Sequence, residues 1–219
     1  KLDPELKFPL FVKPVAMDNS IGIPNDSVVR DEKELRSKIG FITRTYNQPA
    51  LVEEFIKGRE LAVGVLGNKN PKALPISEYI FCEEEELPDG ANKILCYDAK
   101  WNPHTELMYD EDFEIFPAPL PKYLEARIKK IAIDLYKLLD VRDYGRIDIR
   151  LSKDGTPYVL EMNPNPGISA DCTLPRAAKT LGLSHADMIF EIFCQALERY
   201  NITLPTAEER KMLANCLVK

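Results

Sequence analysis

Side chains that could bind a metal ion are concentrated between residues 144 and 169, in the stretch YGRIDIRLSKDGTPYVLEMNPNPGIS. Asp154-Gly155 is a strong two-residue turn signal, and the runs on both sides of it alternate apolar and polar residues. A hairpin that turns at these two residues pairs its strands in a defined register. In that register the directly opposed polar pairs are Arg146 with Asn163 and Asp148 with Glu161.

The same register collects apolar residues on the other side of the hairpin. Side chains alternate between the two faces along a strand, so the polar pairs share one face and the apolar residues share the other. A shift of one residue would mix the two sets, so the pattern itself supports the pairing. The predicted core face consists of Ile147, Ile149, Leu151, Tyr158, Leu160 and Met162.

Two carboxylates at opposed positions repel each other, and a cation between them relieves the repulsion. Asp148, Glu161 and the amide oxygen of Asn163, with no His or Cys nearby, form a set of hard oxygen ligands that suits Mg²⁺ or Mn²⁺. The alternative is an exposed polar hairpin face that carries an ordinary Arg-Asp ion pair. The opposed acids and the neighbouring Arg146 favour the metal site.

Composition limits the classes of protein to which the chain can belong. The chain has 219 residues, 45% of them hydrophobic, which is enough for a substantial core. Its net charge of −6 argues against a general nucleic-acid or anionic-membrane surface. No apolar run is long enough to span a bilayer. Five scattered cysteines without a CxxC motif fit a reducing compartment, so we expect a cytoplasmic protein.

The first residue is Lys1 and the first methionine is Met17, so we expect this chain to be a piece of a longer protein. Alternation and helical periodicity predict a chain that contains both strands and helices. We predict strands over residues 8–14, 50–56, 60–66 and 75–81, and helices over 31–46, 122–139, 174–181 and 184–200. The acidic run at 83–86 is predicted to be a solvated loop, and a capping box at 206–209 to start a short final helix.

Several other charged residues are weak candidates when each is taken alone. Lys13 could hold a phosphate or simply close a strand, and Lys100 could be a surface lysine. Glu53, Glu54 and Glu60 could line the wet side of two edge strands. In combination with the hairpin they form a pattern of two lysines for phosphate charge and acids for metal.

That order of residues resembles the ATP-grasp superfamily, and most closely its D-alanine–D-alanine ligase branch. The likeness runs from about residue 8 to residue 200. The last matching segment is specific by itself, whereas the earlier segments support the resemblance only when they are taken together in their order along the chain. The matching stretches are FVKP (11–14), NSIG (19–22), LVEEFIKGRE (51–60), YDAK (97–100), FPAPL (116–120), and YGRIDIRL with YVLEMNPNPGIS (144–169).

The resemblance implies an α+β protein with the ATP-grasp fold, in which helices pack on a mostly antiparallel sheet. Such an enzyme clamps ATP between two lobes and joins a carboxylate to an amine. ATP first phosphorylates the carboxylate, and the amine then attacks the acyl phosphate. The resemblance assigns phosphate contacts to Lys13, Ser20 and Lys100, adenine contacts to Glu53 and to the backbone of Glu54, Phe55 and Ile56, and the ribose hydroxyls to Glu60. It assigns two Mg²⁺ or Mn²⁺ ions to Asp148, Glu161 and Asn163, the transferred phosphoryl group to Arg146, and an oxyanion contact to the N–H of Gly167.

The resemblance also implies a division of the chain and a set of partners. Residues 1–58 would be part of the smaller lobe, which we expect to be incomplete, 59–200 the larger catalytic lobe, and 201–219 a tail. An N-terminal substrate domain of the same protein would precede Lys1. The partners would be a small-molecule carboxylate and amine, with neither nucleic acid nor membrane, and a homodimer is left open.

This sequence departs from the ligase pattern where the amino-acid substrates would bind. Met17 and Asp18-Asn19 stand where the ligases usually have Glu and Gly-Ser, although Ser20 is retained. Trp101 stands in place of a tyrosine, and Asp171-Cys172 in place of a His-Ser pair. The nucleotide and metal positions are retained, so ATP-driven ligation is expected, whereas the acid could be D-alanine, another amino acid or a peptide.

Two other functions stay open at this point. One is a non-catalytic ATP-binding module of the same fold that serves as a regulator or scaffold, which the altered substrate loops motivate. The other is an interaction domain that carries a charged hairpin. Arg146 favours the ligase, because an arginine beside the metal ligands has no obvious use in passive binding.

Overall fold

The computed structural model describes residues 5–82, 90–102, 106, 113–203 and 206, and it divides the chain into two compact units. The first unit comprises Lys1–Lys57 and Tyr79–Phe113, and the second comprises Gly58–Glu78 and Glu114–Lys219. In the described part of the chain, no helix is both long and apolar enough to cross a membrane.

Within the described ranges the chain forms nine β-strands and five α-helices. The strands are β1 (Leu10–Pro14), β2 (Val28–Val29), β3 (Ala50–Glu54), β4 (Gly58–Leu66), β5 (Lys72–Ala73), β6 (Ser77–Tyr79), β7 (Glu114–Ile115), β8 (Tyr144–Ser152) and β9 (Pro157–Asn163). The helices are α1 (Glu32–Tyr46), α2 (Tyr97–Trp101), α3 (Lys122–Leu138), α4 (Thr173–Lys179) and α5 (His185–Arg199). The predicted acidic loop at 83–86 and the final helix at 206–209 lie outside the described residues, apart from residue 206.

The first unit is built on an antiparallel sheet in the order β2-β1-β3. One face of β1 buries Leu10 and Val12 against Leu35 and Ile42 of α1. The side chain of Asp31 accepts a hydrogen bond from the N–H of Glu34, which caps the start of α1. Alternation along the strand therefore leaves the other face of β1 for Phe11 and Lys13.

The sequence-based division at residue 58 did not anticipate that residues 79–113 belong with the first unit. Hydrogen bonds within that unit explain the difference. The Tyr97 N–H donates to the Ile23 carbonyl at 2.9 Å, and the Asn25 amide and Asn92 form hydrogen bonds in both directions. Residues more than 60 positions apart make these contacts, so they could not be read from local patterns.

The second unit is built on a mostly antiparallel sheet in the order β7-β6-β4-β8-β9, with β5 paired to β4. Leu61 and Val63 of β4 and Ile147 and Ile149 of β8 are fully buried in a cluster with α3. The long β4–β8 ladder holds β8 in the centre of this sheet. The face opposite α3 carries Glu60, Ala62, Gly64, Arg146, Asp148, Arg150, Glu161 and Asn163, and we call it the site face.

The β8–β9 hairpin has the predicted residue pairs at the site, but its turn and its strand pairing differ from the prediction. The turn has three residues rather than two, because the Ser152 N–H donates to the Thr156 carbonyl and Gly155 adopts φ +82°. A β-bulge between Asp148 and Ile149 then shifts the register back by one residue. Arg146 is therefore opposite Asn163, and Asp148 is opposite Glu161, as predicted.

Between the turn and the bulge, the register differs by one residue from the predicted register, which changes the apolar residues of β9 that lie opposite the core residues of β8. Val159, rather than Leu160, is opposite Ile149, and Tyr158 is opposite Arg150 on the site face. The prediction that Tyr158 and Leu160 belong to the core face was therefore wrong, and both side chains are exposed. Because β9 forms the edge of the sheet, its apolar residues lack the cover that β8 receives from α3.

Helix α4 packs on the site face itself. A Cβ atom at Gly64, the residue opposite Arg146, would lie 2.7 Å from Cδ1 of Leu174. Leu174 and Ala178 of α4 are fully buried in a cluster with Met188 of α5. The site face is therefore covered by helix at one end, and the loop from β9 to α4 returns the chain to it.

We expect the two residues of one ladder pair to differ in their effect on stability. Ile149→Ala should lower the free energy of unfolding by about 2–5 kcal/mol, because this side chain is fully buried. Val159→Ala, on the opposed residue with 42% of its surface exposed, should cost about 1 kcal/mol or less. Urea unfolding followed by far-UV circular dichroism measures both values. Equal losses would contradict the difference in burial between the two residues.

Candidate functional site

The structure brings four predicted residues together on the site face of the second unit. Arg146 donates from Nε and Nη2 to the two carboxylate oxygens of Asp148, at 2.7 and 2.8 Å. Both side chains are largely buried, at 14% and 16% exposure. A two-pronged ion pair of this kind fixes the direction of the guanidinium group as well as its distance.

Glu161 and Asn163 lie across the ladder from this ion pair, on the exposed side of β9. The Asn165 backbone N–H donates to Oδ1 of Asn163 at 3.0 Å, and the Tyr144 hydroxyl donates to Oδ1 of Asn165. These bonds orient the amide oxygen of Asn163 on the site face. Sequence reasoning missed the two supporting residues, although Asn-Pro-Asn is a pattern in which a side chain often bonds the backbone two residues later.

The oxygen donors on this face fit a hard divalent cation. Asp148 and Glu161 contribute carboxylates and Asn163 an amide oxygen, which are the ligand types that Mg²⁺ and Mn²⁺ prefer. The described residues contain no group of three His, Cys, Asp or Glu side chains that could hold a metal by themselves. An ion here would therefore take part of its coordination shell from the amide, from water or from a phosphate.

Glu60 also lies on the site face, but it is engaged in an ion pair that the sequence did not reveal. Arg150 donates from Nη1 to Oε2 of Glu60 at 2.8 Å, and the two side chains are 5% and 11% exposed. The β4–β8 ladder sets these residues directly opposite each other. Ninety positions separate them in sequence, so no local pattern could identify the pair.

Lys13 and Glu53 meet on the open face of the sheet in the first unit. The Lys13 ammonium lies 2.8 Å from Oε2 of Glu53. Phe55 continues the same side of β3, and its backbone N–H donates to the Pro9 carbonyl at 3.1 Å. Because backbone groups alternate along an antiparallel strand, the N–H and C=O of Glu54 point away from β1, toward the open edge of the sheet.

A cleft of about 320 Å³ opens beside Phe55 in the first unit. Its walls combine aromatic and apolar side chains with two cations, a lining that suits a flat ligand with polar edges. The lining residues are Phe8, Pro9, Val28, Arg30, Phe55, Lys57 and Asn92. Ile56 is half-buried next to this cleft along the chain.

Three hydrogen bonds within the first unit tie the loop that follows Lys13 to α2 and to the residues just before it. Ser20 Oγ donates to the Leu95 carbonyl at 2.8 Å. Lys100 Nζ donates to Oδ1 of Asn19 at 3.3 Å, and Nε1 of Trp101 donates to the Asn19 carbonyl at 3.0 Å. The structure therefore places the predicted Ser20 and Lys100 at one loop–helix junction. It also adds Asn19 and Trp101, two of the departures from the ligase pattern.

Gly167 lies in the loop between β9 and α4, at the end of the site face. A Cβ atom at this position would lie 2.7 Å from Sγ of Cys172, so the loop closes tightly on itself. The Cys172 N–H donates to the Ser169 carbonyl at 2.8 Å just before α4 begins.

Comparison with known proteins gives a consistent result. The family described as "D-ala D-ala ligase C-terminus" matches residues 1–194. A D-alanine–D-alanine ligase of Pelotomaculum thermopropionicum is 32% identical over 198 residues, covering 90% of this chain and 56% of that protein. An uncharacterized protein, y4sG, of Sinorhizobium fredii is 34% identical over 196 residues, covering 90% of this chain and 54% of that protein.

Solved structures give the same answer at the level of the fold. The D-alanine–D-alanine ligase of Bacillus anthracis superposes with a TM-score of 0.66 at 28% identity, covering 87% of this chain and 55% of that one. The same enzyme described as complexed with ATP gives 0.65 at 26% identity, covering 90% and 57%. The chain thus spans about half the length of the curated relatives it matches. It belongs to the D-alanine–D-alanine ligase C-terminal family and has the ATP-grasp fold.

Proposed function

We propose that this chain is the catalytic part of an ATP- and Mg²⁺-dependent ligase that joins a carboxylate to an amine through an acyl phosphate. The observation that carries the proposal is the set of residues on the site face, where Arg146 holds Asp148 directly opposite Glu161. Relatives named as D-alanine–D-alanine ligases support the reaction class, and the Bacillus anthracis structure complexed with ATP supports the nucleotide.

In this proposal Asp148, Glu161 and Asn163 would hold two Mg²⁺ ions on the site face. The ions would neutralise the phosphate oxygens and orient the phosphoryl group for transfer. Asn165 supports this role by fixing the amide of Asn163 through its backbone N–H. Mn²⁺ prefers the same oxygen ligands, so we expect it to replace Mg²⁺.

Arg146 acts on the phosphoryl group itself. Its guanidinium is permanently charged, and it is held in place by Asp148, so it can meet the charge of the transferred phosphoryl group without rearrangement. Phosphoryl transfer depends mainly on positioning and charge neutralisation, which explains the absence of a nucleophilic side chain from the proposed mechanism.

The proposed nucleotide contacts are of two kinds: charged or polar side chains that would hold the phosphates, and a cleft that would hold the adenine base. Lys13, Lys100 and Ser20 would hold the phosphates, since both lysines lie beside the loop that follows β1. The adenine base would lie in the cleft beside Phe55. Its polar edge would meet Glu53 and the backbone of Glu54 to Ile56, and Glu60 would accept from the ribose hydroxyls. The cleft and the open strand edge of Glu54 support this assignment.

The reaction requires two transfers in sequence. The substrate carboxylate attacks the γ-phosphorus of ATP, ADP leaves, and the acyl phosphate forms. The amine then attacks the acyl carbon, and inorganic phosphate leaves as the amide forms with loss of a proton. The N–H of Gly167 would donate to the oxyanion of the tetrahedral intermediate. A non-catalytic ATP-binding module would need none of these groups beyond the nucleotide contacts.

Glu161→Gln should abolish ligation while leaving the fold intact, because a neutral amide lacks the negative charge with which a carboxylate would hold a divalent cation. We expect ADP formation with acid and amine present to fall at least about 100-fold in the full-length protein. ADP release measured by a coupled assay, with circular dichroism as the folding control, tests this. Near-normal turnover in the variant would refute the metal assignment, and wild-type turnover that requires both acid and amine would exclude the passive module.

Metal binding can be tested apart from turnover. With a non-hydrolysable ATP analogue bound, Asp148→Asn and Glu161→Gln should each weaken Mn²⁺ binding about tenfold or more, because each removes an anionic ligand. Electron paramagnetic resonance of free Mn²⁺ gives the affinity. Asp154→Asn is the matched control, since this carboxylate lies at the turn of the same hairpin and away from the opposed acids. An equal loss in the control would contradict the site.

Lys100→Ala should weaken MgATP binding about tenfold or more, because it removes a charged donor to phosphate. Isothermal titration calorimetry on the full-length protein measures the affinity. Lys33→Ala, on the exposed surface of α1 in the same unit, should leave it unchanged. An unchanged affinity in the Lys100 variant would count against its phosphate role.

A further inference from the structure

Glu114 on β7 is a buried carboxylate that the proposed mechanism does not use. Its side chain is only 1% exposed. Arg176 of α4 donates from Nη1 to Oε2 of Glu114 at 3.0 Å and from Nη2 to the Glu114 carbonyl at 2.9 Å. The second carboxylate oxygen, Oε1, is buried as well. Burying a carboxylate is costly unless paired and hydrogen-bonded groups compensate it, so the groups that surround Glu114 matter.

The surroundings of Glu114 connect it to the site face. Burial raises the pKa of Glu114, and the hydroxyls of Ser77 and Thr173 and the charges of Arg176 and Arg146 oppose that rise. Thr173 is the first residue of α4, and Arg146 is the proposed catalytic arginine. The carboxylate therefore lies near the beginning of α4 and within electrostatic range of the reacting groups.

Contacts with the sheet hold both ends of the loop between β9 and α4. At one end, the ladder holds Asn163 opposite Arg146. At the other end, Glu114 holds Arg176, whose guanidinium also lies over the ring of Phe116 with its centre 5.0 Å from the ring centroid. The ion pair between Glu114 and Arg176 thus attaches α4 to β7, which lies at the opposite edge of the sheet from β9.

The middle of this loop contains Gly167, which packs against its far end. A Cβ atom at Gly167 would lie 2.7 Å from Sγ of Cys172, the residue directly before α4. A displacement of the first turn of α4 would therefore move Cys172 and release Gly167. Errors of about 1 Å in the position of a group that contacts a transition state can cost about 100-fold in rate.

We propose that Glu114 is a positioning residue that anchors the first turn of α4 and thereby holds the backbone N–H of Gly167 in place for the oxyanion of the ligation. This inference rests on the proposed function for its catalytic consequence, but not for the anchoring itself. Glu114 acts through Arg176 and the loop, and it does not touch the substrates.

The chain offers a matched control for this role. Glu78 on β6 is also a buried carboxylate, and it accepts two hydrogen bonds from Arg59, at 2.6 and 2.5 Å. Glu78 neighbours Ser77 on the same strand but points to the opposite face. Its partner Arg59 lies opposite Leu151, on the face of the sheet that packs against α3 rather than α4. Glu78→Gln should therefore perturb a buried ion pair of the same sheet without reaching Gly167.

The first measurement reports on the loop and does not depend on activity. In the full-length protein, iodoacetamide labelling of Cys172, quantified by mass spectrometry of its peptide, should be about five times faster or more in Glu114→Gln than in wild type. Labelling in Glu78→Gln should stay at the wild-type rate. Arg176→Lys keeps the charge but loses the forked geometry, so it should accelerate labelling in the same direction.

The second measurement separates positioning from substrate binding. In Glu114→Gln, kcat should fall about tenfold or more, while the KM for MgATP stays within about twofold, because the nucleotide contacts lie elsewhere. In Glu78→Gln, kcat per folded molecule should be unchanged.

The outcomes distinguish this proposal from the function on which it rests. Faster Cys172 labelling and a lower kcat in Glu114→Gln alone support it. Wild-type labelling and kcat in that variant, or equal changes in Glu78→Gln, overturn it. If Glu114→Gln and Arg176→Lys both fail to fold, the pair serves the fold and the proposal is also overturned. A wild-type protein without turnover would refute the ligase, and the labelling result would still decide whether Glu114 anchors the loop.

Discussion

The opposition of two carboxylates across the β8–β9 ladder is the constraint on which the rest of the second unit depends. Asp148 and Glu161 share one rung, and like charges at such positions destabilise a sheet unless a cation lies near them. Arg146 supplies one such charge through its two hydrogen bonds to Asp148. The position of β8 keeps this pair in place. Strand β4 forms a ladder with β8, and helix α3 packs against the opposite face of the sheet.

Ion pairs also hold three other charged groups of the chain in place. Glu60 is held by Arg150, Lys13 by Glu53, and Glu114 by Arg176. Ion pairs of this kind contribute little net stability, because the loss of hydration offsets the attraction where the pair is buried and solvent weakens it where the pair is exposed. Their value here is direction, because each pair fixes a charged group that a flexible side chain would otherwise leave mobile. A face that must meet phosphate charge benefits from such fixed groups.

The predicted register of the site was correct because two differences from the predicted hairpin, one in the turn and one in the strand, offset each other. A two-residue turn at Asp154-Gly155 and a three-residue turn that ends at Gly155 differ by one position, and the bulge beside Asp148 restores that position. The opposed pairs were therefore correct, whereas the faces assigned to Tyr158 and Leu160 were not. A bulge leaves no clear local signal, because it depends on how an edge strand fits the twist of the whole sheet.

By itself, the sequence determined the elements, the polar side of the hairpin and the residue types able to bind metal and phosphate, because periodicity and turn chemistry are local. Only the tertiary structure decided which distant residues meet. The pairing of Glu60 with Arg150, the return of residues 90–102 to the first unit, and the grip of Glu114 on α4 are examples. Each joins positions about 60 to 90 residues apart. Such contacts follow from the packing of whole sheets and helices, which no short stretch of sequence encodes.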